Sequence, residues 1–162
     1  MKKLEKELGL KEGIAVAAHE AVLNIYYTGD LLKKRAREFF REFGITDVQF
    51  NLMELLHRQT GDREGLTQAD LSRMLLVNRS NITSLIDRME KAGLVRRVDV
   101  PGDRRYNSIE LTTRGRDLLL ELENRYMEKI EAVMNVLEGT EMEELVSALE
   151  RIRQNLRGEG TG

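Results

Sequence analysis

The 162-residue sequence has no cysteine. Disulfides, thiol-based redox sensing, Cys-ligated zinc and iron–sulfur clusters are therefore excluded. A single proline, Pro101, leaves most of the chain open to long helices. No run of about 18 apolar residues occurs, so no segment is expected to span a membrane. The basic start, MKKLEKELGLKEG, lacks the apolar centre of a signal peptide, and with the missing cysteine this gives a cytoplasmic expectation. There is no glycine-rich cofactor loop after a strand and no nucleophile–base motif. Neither catalysis nor a cofactor is expected, and two histidines among many carboxylates do not define a metal site.

What is present is ordinary for a helix-rich globular chain: 41% hydrophobic and 33% charged residues, with formal net charge −2. The length is enough to bury a core without staples. Charge is unevenly spread. From Arg73 to Arg105 there are eight Lys/Arg against four Asp/Glu; from Asp117 to Glu150 there are two against ten. A basic middle and an acidic last third give one surface suited to phosphates and another that is not.

Apolar periodicity places a first helix over about 12–43, with Ala18, Val22, Ile25, Leu32, Ala36, Phe39 and Phe43 on its stripe and Gly44 as its stop. Thr46 and Gln49 form a capping box for a second helix, whose inner face is Val48, Leu52, Leu55 and Leu56. TGDREG, 60–65, is a loop. Thr67, with Asp70 in the partner position, caps a short third helix that turns Leu71, Met74 and Leu75 inward. After a three-residue break, Asn78 is the expected cap of a fourth helix with Ile82, Leu85, Ile86 and Met89 on one face and Gly93 at its end.

Residues 98–112, VDVPGDRRYNSIELT, then alternate with period two on both sides of Pro101-Gly102, Val98 and Val100 against Arg97 and Asp99, and Ile109 and Leu111 against Ser108 and Glu110. That is a hairpin. A long helix follows from Thr112 or Thr113 to about Leu137, with the seam Leu119, Leu122, Tyr126, Ile130, Val133 and Leu137. A last helix, boxed by Thr140 and Glu143, buries Met142, Leu145, Leu149, Ile152 and Leu156. The tail from 158 to 162 is expected to be disordered. A helix of some 25 residues projects about 37 Å, more than a small domain can cover, so the terminal helices call for a second chain.

The order is that of a mostly α protein with a small β-hairpin wing, a winged helix-turn-helix. The stretch NRSNITSLIDRMEKAGL offers Arg79, Ser80, Asn81, Thr83, Ser84, Asp87 and Arg88 opposite its apolar face. Arginines and short polar groups reach base edges and phosphates in a major groove. A solvated helix face is the bland alternative; the preceding short helix and the basic hairpin favour double-stranded DNA. Arg104 and Arg105 lie just past the hairpin tip, where a minor groove attracts arginine. Asp103 can pair with Arg105 and hold it extended, besides suiting the turn.

The segments ITDVQFNLMELL (45–56) and LTQADLSRMLLVNRSNITSLIDRMEKAGLVRR (66–97), followed by Asp103-x-Arg105 and Leu111-Thr112-x-x-Gly115, resemble the MarR family of winged-helix regulators nearly end to end. The resemblance implies a homodimeric regulator, a repressor on a palindromic operator. It implies dimerisation through residues 1–45 and 113–157, with DNA binding by 46–112. Arg79, Ser80, Asn81, Thr83, Ser84 and Arg88 fall at the major groove and Arg105 at the minor groove, held by Asp103, with Arg104 on phosphate. Leu76 stands where the family often has glycine. The resemblance also implies a small aromatic or phenolic effector, for which His19, Tyr26, Tyr27, Met53 and His57 are candidate wall residues and ordinary core or surface residues the plainer alternative. A winged-helix module that docks on protein and binds DNA poorly is the competing reading of the chain. An enzyme carrying such a segment is the third.

Overall fold

The structure, a computed structural model, describes residues 3–59, 65–75, 79–100 and 103–159, apart from the side chains of residues 79, 100, 103–106 and 159. The elements run α1 (Lys3–Glu7), α2 (Ala17–Arg41), α3 (Asp47–Gln59), β1 (Leu66–Thr67), α4 (Gln68–Met74), α5 (Arg79–Lys91), β2 (Val95–Val100), β3 (Asp103–Leu111), α6 (Thr113–Met134) and α7 (Gly139–Glu159). They form two compact units, Met1–Leu119 and Leu120–Gly162.

The first unit has its core where α3, α4, α5 and the sheet meet. Phe50, Leu52, Met53 and Leu56 of α3 are fully or almost fully buried, as are Leu71 of α4 and Ile82, Ile86 and Met89 of α5. Val95 and Ile109 close it from the sheet. Each such side chain contributes about 1.5–3 kcal/mol by leaving water. At the end of α2, Phe40 stacks on Phe50 with ring centroids 4.6 Å apart, a geometry that adds to burial.

Several expectations are corrected. The first helix starts at Ala17, not near residue 12, and a short α1 precedes it. Leu4 and Glu5 of α1 are buried, and Glu5 Oε1 accepts the Ile14 N–H at 2.7 Å. Of the stripe assigned to α2, only Ala36 is buried and Phe39 and Phe43 are half-buried; Phe40 carries the contact instead. Ala18, Val22, Ile25 and Leu32 are exposed. In α3 the buried face is Phe50, Leu52, Met53 and Leu56, with Val48 and Leu55 half-buried. Met74 is exposed and Leu75 half-buried, since α4 presents only Leu71 to the core. Residues 60–64, Leu76, Val77, Asn78 and the turn Pro101-Gly102 lie outside the described residues.

The capping chemistry holds as expected at Thr46, Thr67 and Gly93. Gln49 Oε1 accepts the Thr46 N–H at 2.8 Å and Thr46 Oγ1 accepts the Gln49 N–H at 3.2 Å. Thr67 Oγ1 accepts the Asp70 N–H at 3.2 Å and donates to the Asp70 carboxylate at 2.6 Å. At Gly93, φ +70, the Gly93 N–H bonds to Glu90 O and the Leu94 N–H to Met89 O, both at 2.9 Å. This left-handed stop is one that glycine adopts without strain. The exception is the last helix. It starts at Gly139 and is capped by Glu141, whose Oε2 accepts the Glu138 N–H at 2.8 Å, in place of the Thr140–Glu143 box. The helix also continues to Glu159, past the expected start of the tail; residues 160–162 lie outside the described residues.

The sheet is antiparallel in the order β1-β3-β2. Val95 pairs with Leu111 and Arg97 with Ile109, with an irregularity at Asp99/Val100. Opposed residues share a face, so the inward phase of β2 is Val95 and Arg97. The Val98/Val100 phase read as the apolar one faces the other way. Thr112 then ties α6 to the end of α5. Its hydroxyl donates to Gly93 O at 2.6 Å and accepts the Gly115 N–H at 3.0 Å, and its own N–H bonds to Leu94 O at 3.1 Å. A Cβ on Gly115 would stand 2.0 Å from Leu94 O. Of the seam assigned to the long helix, Leu119 and Leu122 are buried, Tyr126, Val133 and Leu137 half-buried and Ile130 exposed. No described side chain of α7 is buried, and Leu145, Ile152 and Leu156 are exposed.

Two outcomes are expected. Gly115→Ala forces the start of α6 off the Leu94 carbonyl and lowers stability by about 1–3 kcal/mol, the usual range for overpacking, measurable by urea unfolding. The hydrogen bond from the Thr67 hydroxyl, aided by Arg73, holds the Asp70 carboxyl below its ordinary value of 3.8. Its folded pKa is depressed, so its stabilisation is complete above about pH 5 and is lost as pH falls through that value and below. The gap in thermal midpoint between wild type and Asp70→Asn is therefore widest near neutrality and closes on acidification.

Candidate nucleic-acid interface

Helix α5 is sharply two-sided. Ile82, Leu85, Ile86 and Met89 are buried, while Ser80, Asn81, Thr83, Ser84, Arg88 and Lys91 are exposed. Ser80, Thr83, Ser84, Arg88 and Lys91 recur at helical spacing, so they form one stripe. Arg79 is the first residue of the helix, and its side chain lies outside the described residues. Thr83 Oγ1 is 3.4 Å from Gln68 Oε1, linking the stripe to the first residue of α4. Gln68 was not among the expected site residues. Its position at the end of the second capping sequence, one residue after Thr67, was the available signal.

The hairpin β2–β3 follows α5 directly. Asp103, Arg104 and Arg105 are the first residues of β3, next to the expected tip, and Val100 pairs with Asp103. Their side chains lie outside the described residues, and with them the expected Asp103–Arg105 pair.

The structure redistributes the charge counted in the sequence. Arg73 pairs with Asp70 at 2.7 Å, and Arg96 reaches Glu110, its cross-strand partner, with two nitrogens at 2.8 and 3.0 Å. Arg97 is engaged most fully. Its guanidinium donates to both Asp87 and Glu90 of α5, and its backbone N–H donates to Glu90 Oε1 at 3.1 Å. Only 21% of its side chain is exposed. Burial disfavours its charged form, and the Asp87 hydrogen bond with the Glu90 charge outweighs that, so its pKa is raised. Arg97 was read only as part of a basic run. Two acids three apart on the preceding helix were the signal that it answers them.

The candidate effector residues differ in exposure. His19 and Tyr26 on α2 are exposed, Tyr26 by 68%, and Tyr27 is half-buried. On α3, His57 is half-buried, and Met53 is fully buried beside Phe50, Leu52 and Leu56 and offers no surface to a ligand. Among the described residues no cluster of His, Asp and Glu can hold a metal ion, and no helix is long and apolar enough to cross a membrane.

Comparison with known proteins agrees with this architecture. Residues 43–105 match the MarR family model. The transcriptional regulator PecS of Dickeya dadantii is 26% identical over 126 residues, 78% of this chain and 75% of that protein. The crystal structure of AbsC, a MarR family regulator from Streptomyces coelicolor, superposes with TM-score 0.79 at 24% identity, covering 91% of this chain and 99% of AbsC. The S. aureus MepR–DNA complex gives TM-score 0.75 at 24% identity, over 82% and 94% of the two chains. Over its winged helix-turn-helix segment the chain is thus similar to the MarR family, and the relatives it matches are HTH-type transcriptional regulators, which are not enzymes.

Proposed function

We propose that the protein is a homodimeric regulator that binds palindromic double-stranded DNA in a sequence-specific way and acts as a repressor. In this reading Arg79, Ser80, Asn81, Thr83, Ser84 and Arg88 enter the major groove. Arg105 enters the flanking minor groove, oriented by Asp103, and Arg104 meets phosphate. The observation that carries the reading is the two-sidedness of α5: a packed apolar face fixes the helix, and the opposite face exposes Ser80, Asn81, Thr83, Ser84, Arg88 and Lys91, which can bond to bases and phosphates. The solved DNA complex of MepR has the same fold. Occupying an operator blocks a promoter with no further contact, which favours repression.

The bare apolar residues support the dimer. Val22, Ile25 and Leu32 of α2, Ile130 of α6 and Leu145, Ile152 and Leu156 of α7 are all exposed in the protomer. Runs of this size mark association surfaces. An aromatic or phenolic anion that shifts the spacing of the two reading helices releases the DNA. His19, Tyr26, Tyr27 and His57 supply the polar and aromatic groups for it.

Fluorescence anisotropy on genomic fragments selected for binding tests this. Specific affinity is expected to fall steeply with salt, by a log–log slope near −0.9 per phosphate neutralised. Half-sites are expected about 10 bp apart. Arg105→Ala is expected to weaken binding by about 1–3 kcal/mol while solution scattering still shows a dimer. Unchanged affinity in that variant removes the wing assignment. A chain that binds no selected DNA, or binds it independently of salt, is the protein-docking module instead.

A further inference from the structure

Arg97 stands where two parts of the reading surface must be held in register. It lies on β2, opposite Ile109 and in the same inward phase as Val95. From there its guanidinium reaches across to Asp87 and Glu90 on α5. Its backbone N–H adds a third bond to Glu90 at 3.1 Å. The two acids are three residues apart, so they project from one side of the helix. A planar guanidinium with a rigid fork fixes direction as well as distance, which an ammonium does not.

The covalent link between α5 and β2 is the turn at Gly93, and the base of the hairpin is packed through Val95 and Ile109. Further along β2, three hydrogen bonds from Arg97 tie the strand to α5. The same contact has a second effect. Asp87 belongs to the stripe that includes Thr83, Ser84, Arg88 and Lys91, and its carboxylate is 49% exposed. Bare carboxylates at Asp87 and Glu90 would repel phosphate; Arg97 offsets one of their two negative charges and so weakens that repulsion.

We propose that Arg97 is a positioning residue for DNA recognition: bound to Asp87 and Glu90, it sets the angle between wing and recognition helix and offsets part of the acidic charge on that helix, without touching DNA. The proposal rests on the DNA-binding reading above. It assigns to an arginine of the basic middle segment a role opposite to phosphate binding. Removing a phosphate contact lowers affinity for all sequences and flattens the salt dependence. Removing a strut lowers discrimination between sequences and leaves the salt slope in place.

The test uses the full-length protein, anisotropy on a selected operator and on scrambled DNA, and the salt slope for each. Arg97→Gln is expected to lower the operator-to-scrambled affinity ratio by about tenfold, the equivalent of one charge-assisted hydrogen bond. Its salt slope on the operator is expected to match wild type. Because that variant can also lose structure, Asp87→Asn/Glu90→Gln breaks the strut from the other side and keeps Arg97 as a cation. It is expected to show the same loss of ratio, with scrambled DNA bound more tightly than by wild type. Circular dichroism confirms that each variant is folded. A ratio unchanged in the double variant overturns the proposal. So does a slope that falls by about one in Arg97→Gln, which makes Arg97 a phosphate ligand. If wild type shows no preference for any selected DNA, the DNA-binding reading fails first, and the two failures are distinct.

Discussion

The carbonyl of Leu94 is the joint of the first unit. Three elements converge on the two residues Gly93 and Leu94. Helix α5 ends there through the Leu94 N–H bond to Met89 O at 2.9 Å. Strand β2 departs from the next residue. Helix α6 begins against the same carbonyl, which accepts the Thr112 N–H and lies so close to Gly115 that no side chain fits. A recognition helix, a wing and a long outgoing helix are thus fixed by one peptide unit. Each bond contributes about 0.5–1.5 kcal/mol net, but the geometric consequence is larger. An error of a few degrees at the joint is magnified at the far ends of three elements.

This explains why the Thr112-x-x-Gly115 spacing recurs in the resemblance that the sequence showed. Threonine supplies a hydroxyl that both caps α6 and bonds to Gly93 O, and glycine supplies the missing Cβ. Read as a motif, the spacing only identified a family. Read in the structure, it states a packing requirement.

Local chemistry was legible because local rules decide it. The boxes at Thr46 and Thr67 and the stop at Gly93 involve residues a few positions apart, and nothing distant competes with them. The apolar face of α5 was legible for the same reason: a core covers it completely. Where coverage is partial, periodicity overstates burial. The α2 stripe is apolar over its whole length, yet the protomer packs only its last turns. The inward phase of β2 was not legible because alternation is symmetric: Val98 and Val100 fit one phase, Val95 and Arg97 the other. A charged residue in the inward phase has to be answered by distant acids, and Asp87 and Glu90 are 10 and 7 residues away on another element. The α1 segment was missed because its buried carboxylate is satisfied by the Ile14 N–H, a loop contact with no periodic signature.

The uneven charge now has a physical division of labour. Net charge −2 alone argues against a polyanionic partner. Yet the acids nearest the reading stripe, Asp87 and Glu90, are bound by Arg97, and Glu110 is bound by Arg96. The remaining surplus of acid is on α6 and α7, where Glu121, Glu128, Glu131, Glu141, Glu143, Glu144 and Glu150 are all exposed. At physiological ionic strength a charge is screened over about 8 Å. What a phosphate senses is therefore the local balance, and on α5 that balance is set by Arg88 and Lys91. The acidic total does not decide affinity.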